Sequence, residues 1–251
     1  MPVATTALAV RLRRARNALV LLLAAAAVHA QDPSADSYAA ERQALVAQLR
    51  ADSAAAGGRA RLDPKVLEAI GRVPRHRFVP AAQQRHAYED RPLAIGHGQT
   101  ISQPYIVALM TSLLHPEPGH KVLEVGTGSG YQAAVLAELG AQVYTIEILE
   151  PLGRQAAKVL RGYPDVHTRI GDGYRGWPEH APFDAIIVTA AVTPVPPPLL
   201  EQLKPGGRMV IPVGRQWATQ TLMLVEKDHD GKIRERRILP VRFVPLTGER
   251  D

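Results

Sequence analysis

A glycine-rich turn between two carboxylates holds the residues of this sequence that point most directly to chemistry. Glu124 lies in an apolar run, residues 122–125, which predicts a buried strand, and the residues after the turn favour a helix. The turn contains Gly126, Thr127, Gly128 and Gly130. Glycine lacks a Cβ atom, so a turn of this kind reaches positive φ and lets a ligand lie against its backbone.

The second carboxylate, that of Glu147, follows the apolar run 143–146 and lies about 20 residues beyond the first glycine of the turn. An acid at this distance is placed to accept hydrogen bonds from the two hydroxyls of a ribose. The N-terminus of the helix after the turn offers unpaired N–H groups to a ligand. Together these features predict a site for an adenosine-containing cofactor, against the alternative of a glycine-rich loop that binds nothing.

The spacing of the glycines separates two classes of cofactor. Dinucleotide sites use G-x-G-x-x-G, whereas Tyr131 takes the place of the third glycine here. The carboxylate of Glu124 repels a pyrophosphate, which disfavours a nicotinamide-dependent oxidoreductase. The ammonium and sulfonium groups of S-adenosylmethionine suit that carboxylate, and E-x-G-x-G-x-G resembles the first motif of the Rossmann-like methyltransferases. We therefore predict S-adenosylmethionine as the cofactor.

The composition is that of an ordinary globular protein, and it removes several classes of function. The 251 residues include 46% hydrophobic and 22% charged residues, enough to bury a core. The formal net charge is +6, but four arginines in the first 30 residues account for most of it. The remainder gives no case for binding nucleic acid. The absence of cysteine excludes disulfides, thiolate nucleophiles and cysteine-ligated zinc.

Residues 1–30 have the three parts of a secretory signal: a basic stretch at 11–16, an apolar run at 18–28 and small residues around Ala30. The apolar run is shorter than the ~20 residues that span a bilayer, so we expect no stable membrane association. The alternative is an alanine-rich extension that arises from a start codon placed too far upstream. Since S-adenosylmethionine is made in the cytoplasm, we expect a cytoplasmic protein, or a periplasmic one if Arg11–Ala30 is a functional signal.

The rest of the chain is predicted to form one domain. After a linker at residues 31–40, this domain spans residues 41–251. Its first part, residues 41–120, is predicted to be a helical lead-in on the substrate side. Its second part, residues 121–251, is predicted to be the sheet that binds the cofactor.

Strand-like runs alternate with helical patterns from residue 121 onward, which predicts an α/β fold with a parallel sheet covered by helices on both faces. The strands are predicted near residues 121–125, 142–147, 166–170, 183–189 and 207–213. Helices are predicted at 41–50, 64–72, 104–114, 130–139, 150–161 and 198–203, whereas residues 81–103 show little regular pattern. Two later runs, separated by an Asp-His-Asp-Gly turn signal, predict an antiparallel hairpin at 221–226 and 237–244.

Two loops that follow predicted strands give information about the ligands, the first about the cofactor and the second about the substrate. Gly171, Asp172 and Gly173 follow the third strand, at the carboxyl end where open α/β sheets bind ligands. Asp172 is placed to accept a hydrogen bond from an adenine amino group, or it forms a simple Asp-Gly turn. The fourth strand ends near Thr189 without the Asn/Asp-Pro-Pro-Tyr/Phe motif of enzymes that methylate base amines. Its absence argues against an adenine of DNA or RNA as substrate.

A distinctive loop at residues 96–104 runs into a helix that Pro104 begins. Ser102 in this loop is a candidate to donate a hydrogen bond at the reaction centre. The alternative is that Thr100 or Ser102 caps the following helix with its hydroxyl.

Several stretches resemble the protein-L-isoaspartate O-methyltransferase family, from about Glu41 to the end of the chain. Gln-Thr-Ile-Ser-Gln-Pro at 99–104 is specific to that family, whereas the glycine turn is shared by all such methyltransferases. The first 40 residues have no counterpart in the usual short form, and residues 54–58 look like a small insertion. The matching stretches are 73–80, 87–93, 98–104, 124–133, 171–173, 181–186, 205–207 and 241–246.

The resemblance implies a class I methyltransferase fold, with a mostly parallel seven-stranded sheet that ends in an antiparallel hairpin. It implies methyl transfer from S-adenosylmethionine to the α-carboxylate of L-isoaspartyl residues in damaged proteins and peptides. The alternative is a class I methyltransferase acting on another small molecule or on RNA. The predicted catalytic residue is Ser102, and the predicted substrate contacts are Gln99, Thr100, Ile101 and Val241. The predicted cofactor contacts are Glu124, Gly126, Thr127, Gly128, Gly130, Glu147, Gly171, Asp172 and Gly173.

The chemistry of that reaction suits this sequence. A carboxylate with an unperturbed pKa of about 4 is ionised at neutral pH, so the acceptor is already a nucleophile and needs no strong general base. Proximity and orientation are then the main requirements, which agrees with a sequence that lacks cysteine and an evident Ser-His-Asp arrangement. The methyl ester collapses to a succinimide without enzymatic help. No clear interface stripe is present in the sequence, and we expect a monomer.

Overall fold

The computed structural model describes residues 37–56, 61–215 and 218–248. The predicted N-terminal extension at 1–30 lies outside these ranges, as do most of the linker at 31–40 and part of the predicted insertion. Among the described residues, no helix combines the length and the apolar composition that crossing a membrane requires.

Helices and strands alternate along most of the described chain. The α-helices are α1 (Ala39–Ala56), α2 (Pro64–Arg72), α3 (Pro104–Leu114), α4 (Tyr131–Glu138), α5 (Glu150–Val159) and α6 (Pro197–Gln202). The strands are β1 (Leu93–Gly96), β2 (Gln99–Ile101), β3 (Lys121–Val125), β4 (Gln142–Glu147), β5 (Val166–Ile170), β6 (Phe183–Val188), β7 (Leu203–Val213), β8 (Gln220–Lys227) and β9 (Ile233–Val241). Short 3₁₀-helices lie at Arg75–Phe78, Ala81–His86, Leu160–Gly162, Gly173–Arg175 and Pro178–His180.

Strands β3 to β9 form a seven-stranded sheet in the order β5-β4-β3-β6-β7-β8-β9. Neighbouring strands are parallel from β5 to β7, and β8 runs antiparallel to both β7 and β9. The predicted parallel sheet with a C-terminal antiparallel hairpin is therefore confirmed. Because β3, β4 and β6 point the same way, their carboxyl ends and the loops that follow them meet at one edge of the sheet.

The sheet is covered on both faces, and successive side chains of a strand enter different cores. On β3, Val122 packs in the core that α1 to α5 cover, whereas Leu123 packs in the opposite core beside Leu199 of α6. Both β3 side chains are completely buried. The central strands are thus buried on both sides, as a parallel sheet between helical layers requires.

Two helices that precede the sheet, α2 and α3, have the predicted bounds. Asp63 caps α2, since its carboxylate accepts a hydrogen bond from the N–H of Lys65 at 2.8 Å. The expectation of little regular structure at 81–103 is wrong, because β1 and β2 form a short antiparallel hairpin with Ile95 and Ile101 buried. These strands have four and three residues, too few to give a periodic pattern in the sequence.

The last strand ends earlier than the sequence predicts. β9 stops at Val241 because the chain beyond it leaves β8 and turns toward the carboxyl end of β6. There the N–H of Ala191 donates to the carbonyl of Val244, and the N–H of Leu246 donates to the carbonyl of Ala191, each at 2.8 Å. Residues 244–246 are thereby brought to the same edge of the sheet as the glycine turn.

Candidate active site

The glycine turn after β3 has the backbone that the sequence predicts. Gly126, Gly128 and Gly130 have φ values of +96°, +55° and +88°, a region that favours glycine. The N–H groups of Gly126 and Thr127 both donate to the carbonyl of Ile146 on β4, at 2.9 and 3.1 Å. The turn is thus tied to the neighbouring strand rather than held by its own residues alone.

Close packing adds a second reason for glycine at two of these positions. A Cβ atom on Gly126 would lie 2.5 Å from Oγ1 of Thr189, whose hydroxyl donates to the Gly126 carbonyl at 2.6 Å. A Cβ atom on Gly130 would lie 2.9 Å from a methyl group of Leu160. Larger residues would therefore push the turn away from β6 and from the helices beside it.

Glu147 holds the turn by its side chain. One carboxylate oxygen accepts from the N–H of Gly128 at 2.8 Å, and the other accepts from the N–H of Leu149 at 3.0 Å. A carboxylate offers about four lone-pair sites, so two acceptor sites are left for a ligand. Sequence reasoning did not predict these two hydrogen bonds. The predicted contact of Glu147 with ribose hydroxyls stays a prediction.

Glu124 has a very different environment at the same edge. Its side chain is completely buried, and neither carboxyl oxygen makes a hydrogen bond of good geometry within the described part of the chain. Burial raises the pKa of Glu124 to about 8; the Thr145 hydroxyl opposes this rise, and the nearby Glu147 adds to it. The side chain is therefore mostly a neutral carboxylic acid at neutral pH, and a cation placed beside it would favour its ionised form.

A cleft opens at the carboxyl ends of β3, β4 and β6, and we call it the strand-end cleft. Most of the predicted site residues line it, as do residues that the sequence analysis did not select, such as Ile148, Leu149 and Leu246. The predicted residues that line it are Gln99, Thr100, Ile101, Ser102, Glu124, Gly126, Thr127, Gly128, Glu147 and Gly173. The structure thus brings the distinctive loop and the glycine turn to one cavity.

A second cavity, which we call the open groove, adjoins the cleft. Its walls include Ile106 of α3, Val241 at the end of β9, and the residues that follow Val241. The residues that line both cavities are Thr100, Ser102, Thr189 and Val244. Ser102 therefore lies at the junction of the cleft and the groove.

Three predicted cofactor contacts, Gly130, Gly171 and Asp172, are not among the residues that line the strand-end cleft. The carboxylate of Asp172 accepts from the N–H of Tyr174 at 2.9 Å and so caps the 3₁₀-helix after it. Gly173 packs against β3, because a Cβ atom there would lie 2.4 Å from Val125. The predicted contact of Asp172 with an adenine stays a prediction.

The helix after the Ser102 loop is capped by a residue that sequence reasoning missed. Neither Thr100 nor Ser102 caps α3, whose N-cap residue, Gln103, makes no capping hydrogen bond. Instead, the carboxylate of Asp90 accepts from the N–H of Tyr105 at 2.8 Å and from the side-chain amide of Gln103 at 2.9 Å. A cap supplied from this distance along the chain leaves no local signal in the sequence.

A comparison with known protein families shows to which family this chain belongs. The family model described as Protein-L-isoaspartate(D-aspartate) O-methyltransferase matches residues 40–251. The chain belongs to the protein-L-isoaspartate O-methyltransferase family. The match includes the glycine turn, both carboxylates and the Ser102 loop, so the predicted family is confirmed.

Curated relatives in this family are similar along most of their length. Protein-L-isoaspartate O-methyltransferase 1 of Cupriavidus necator is 62% identical over 219 residues, which cover 85% of each chain. Protein-L-isoaspartate O-methyltransferase 2 of Syntrophobacter fumaroxidans is 58% identical over 235 residues, which cover 92% of this chain and 95% of its own.

Solved structures of similar proteins share the fold. A protein-L-isoaspartate O-methyltransferase superposes with a TM-score of 0.74 and 29% identity, over 82% of this chain and 66% of that one. A Plasmodium falciparum protein described as belonging to the same family, in complex with S-adenosyl-L-homocysteine, gives a TM-score of 0.70 at 24% identity, over 82% of this chain and 98% of its own. The predicted class I methyltransferase fold is therefore confirmed.

Glu124→Gln is expected to stabilise the ligand-free protein increasingly as the pH rises. The pKa of Glu124 is raised from 4.5 to about 8, so the stability that its neutral form contributes is fully present below about pH 4.5 and is lost as the pH rises through 8. Glutamine does not ionise, and the advantage of the variant should grow by up to roughly 1.4 kcal/mol per pH unit in that window.

Urea unfolding of wild type and variant, from about pH 5 to about pH 9, measures this difference. Glu201→Gln, at an exposed position on α6, is the matched control and should show no such trend. A stability difference for Glu124→Gln that does not change with pH would contradict the assignment of a neutral buried acid.

Proposed function

We propose that this chain transfers a methyl group from S-adenosylmethionine to the α-carboxylate of L-isoaspartyl residues in damaged proteins and peptides. The observation that carries the proposal is the junction of the strand-end cleft with the open groove, at Thr100, Ser102, Thr189 and Val244. A donor held in the cleft and a peptide held in the groove would meet at this junction. Membership of the family supports the choice of substrate class.

The residues of the strand-end cleft fit S-adenosylmethionine. Glu124 has a buried carboxyl group without a good hydrogen-bond partner among the described residues, and a cationic ammonium group would satisfy it. Glu147 keeps lone pairs for the hydroxyls of a ribose, and the turn at Gly128 lets a nucleoside approach the backbone. The bound cofactor supplies a methyl group on a sulfonium, which is a good leaving group.

The acceptor is already anionic, so the protein has to orient it rather than remove a proton. An α-carboxylate has an unperturbed pKa of about 3.3–3.7 and is ionised at neutral pH. In this proposal the hydroxyl of Ser102 donates a hydrogen bond to one carboxylate oxygen, and the backbone of residues 99–101 forms the adjoining wall. The rate gain then comes from alignment of oxygen, carbon and sulfur.

The remainder of the substrate peptide is proposed to lie in the open groove as an added strand. β9 is the last strand in the sheet order, and within the described part of the chain it pairs with β8 alone, so its outer edge can offer backbone groups to an extended peptide. Val241 ends this strand, and the groove continues past Phe243 to the junction. This geometry supports a role for Val241 in holding the peptide.

Methylation of matched peptides tests the proposed function. With labelled S-adenosylmethionine, the protein is expected to label an isoaspartyl peptide and to leave the aspartyl peptide of the same sequence unlabelled. The label should be lost in mild base, because the product is a methyl ester. Equal labelling of both peptides would favour a class I methyltransferase with another substrate. Binding of a nicotinamide cofactor, without binding of S-adenosylmethionine, would overturn the proposal.

Ser102→Ala is expected to lower kcat on the isoaspartyl peptide by about 10²-fold, the effect of removing one preorganised hydrogen-bond donor. The affinity for S-adenosylhomocysteine, measured by calorimetry, should change less than twofold. Thr168→Ala, which removes an exposed hydroxyl on β5 outside both cavities, is the control. An unchanged kcat in the Ser102 variant would remove this residue from the mechanism.

We propose that the protein acts as a monomer in the cytoplasm, where S-adenosylmethionine is made. N-terminal sequencing of the protein isolated from its native cells tests the compartment, because a mature start at Gln31 would mean cleavage of a signal and export. The expected result is a native N-terminus that does not arise from cleavage before Gln31.

A further inference from the structure

Arg75 is a buried cation whose role the sequence did not suggest. It begins the 3₁₀-helix Arg75–Phe78, and its side chain is completely buried. Buried arginines are normally paired with a carboxylate, because an isolated charge is costly to remove from water. No carboxylate of the described residues forms an ion pair with Arg75, and Asp90 is the acid whose charge acts on it most. Its surroundings therefore need a different explanation from an ordinary salt bridge.

The guanidinium group is held by two carbonyls and an aromatic ring. Its Nε donates to the carbonyl of Ala87, and Nη2 donates to the carbonyl of Ser102, each at 2.8 Å. The guanidinium carbon lies 4.7 Å from the centre of the Tyr131 ring, within the range of a cation–π contact. Burial lowers the pKa of Arg75 to about 10, while Tyr131 and Asp90 oppose this shift, so the group stays cationic at neutral pH.

These contacts of Arg75 connect the Ser102 loop with the helix that follows the glycine turn. Ser102 lies at the junction of the strand-end cleft and the open groove, and Tyr131 is the first residue of the helix that follows the glycine turn. Asp90 holds the residues just after Ser102, because its carboxylate accepts hydrogen bonds from Gln103 and Tyr105. The backbone around Ser102 is thus fixed at its own carbonyl and just beyond it, and this fixes the direction in which the Ser102 side chain leaves the loop.

We propose that Arg75 is a positioning residue: by binding the Ser102 carbonyl, it holds the Ser102 hydroxyl where this group can donate a hydrogen bond to the acceptor carboxylate. The proposal rests on the proposed methyl transfer and on the role of Ser102 in it. The planar guanidinium presents donors in fixed directions, and two of them meet two carbonyls here. The ammonium group of a lysine at this position would keep the positive charge, but it lacks the planar pair of donors that binds both carbonyls.

Arg75→Lys is the first variant to measure. We expect kcat on the isoaspartyl peptide to fall at least tenfold, with less than a threefold change in the KM for the peptide and in the affinity for S-adenosylhomocysteine. Arg72→Lys is the matched control, because Arg72 is half-exposed and pairs with Glu138 outside both cavities. A kcat for Arg75→Lys within twofold of wild type would overturn the proposal.

A double-mutant cycle separates positioning from general loss of structure. If Arg75 acts through Ser102, Arg75→Lys should lower kcat less than twofold when Ser102 is already alanine. The same fold-loss in both backgrounds would mean that Arg75 acts independently of Ser102, and the proposal would be wrong.

Two measures keep the test decisive if the lysine variant folds poorly. Every kcat is expressed per mole of S-adenosylhomocysteine bound, so that unfolded protein does not count. Arg75→Met, which leaves no buried charge, should show the same loss of kcat and the same dependence on Ser102. If wild-type protein methylates no isoaspartyl peptide, the proposed function fails and the role of Arg75 fails with it. If wild type is active and both variants keep its kcat, the role of Arg75 alone fails.

Discussion

The cleft depends on one contact between neighbouring strands: the carboxylate of Glu147, at the end of β4, binds the N–H of Gly128 in the turn after β3. Together with the N–H groups that the Ile146 carbonyl accepts, it holds a turn of positive-φ glycines in one conformation. Such a turn has high conformational freedom when unfolded, so its order has to be provided by the rest of the sheet. The parallel arrangement of β3 and β4 makes this contact possible.

The two carboxyl groups at this edge of the sheet, those of Glu147 and Glu124, differ in their hydrogen bonding. Glu147 accepts hydrogen bonds from two backbone N–H groups, which orient it and offset the cost of its burial. Glu124, on the adjacent strand, is buried, and no backbone N–H group of the described residues donates a hydrogen bond to it. The first acid therefore shapes the cleft whether or not a ligand is present. The second is mostly a neutral acid at neutral pH, because burial raises its pKa to about 8.

The parts of the fold that local chemistry determines were predictable from the sequence. The glycine turn follows from its residue types, and the α2 cap follows from the adjacent Asp63 and Pro64. The alternation of strand-like and helical patterns in the sequence predicted the parallel sheet. The contacts of Asp90 and Arg75 were not predictable, because their partners lie 12 to 27 residues away along the chain. Within the site, the sequence thus indicated which groups could react or bind, but not what holds them in place.

Ala191, which follows β6, is joined by backbone hydrogen bonds to residues 244–246, although this segment comes after all seven strands of the sheet in the chain. Residues 244–247 also line the strand-end cleft. During synthesis from the N-terminus, the sheet can therefore begin to form while one wall of the cleft has not yet been translated. Until residues 244–247 emerge from the ribosome, a nascent chain lacks this wall of the cleft, so the complete cleft forms only after all the strands of the sheet have been synthesised.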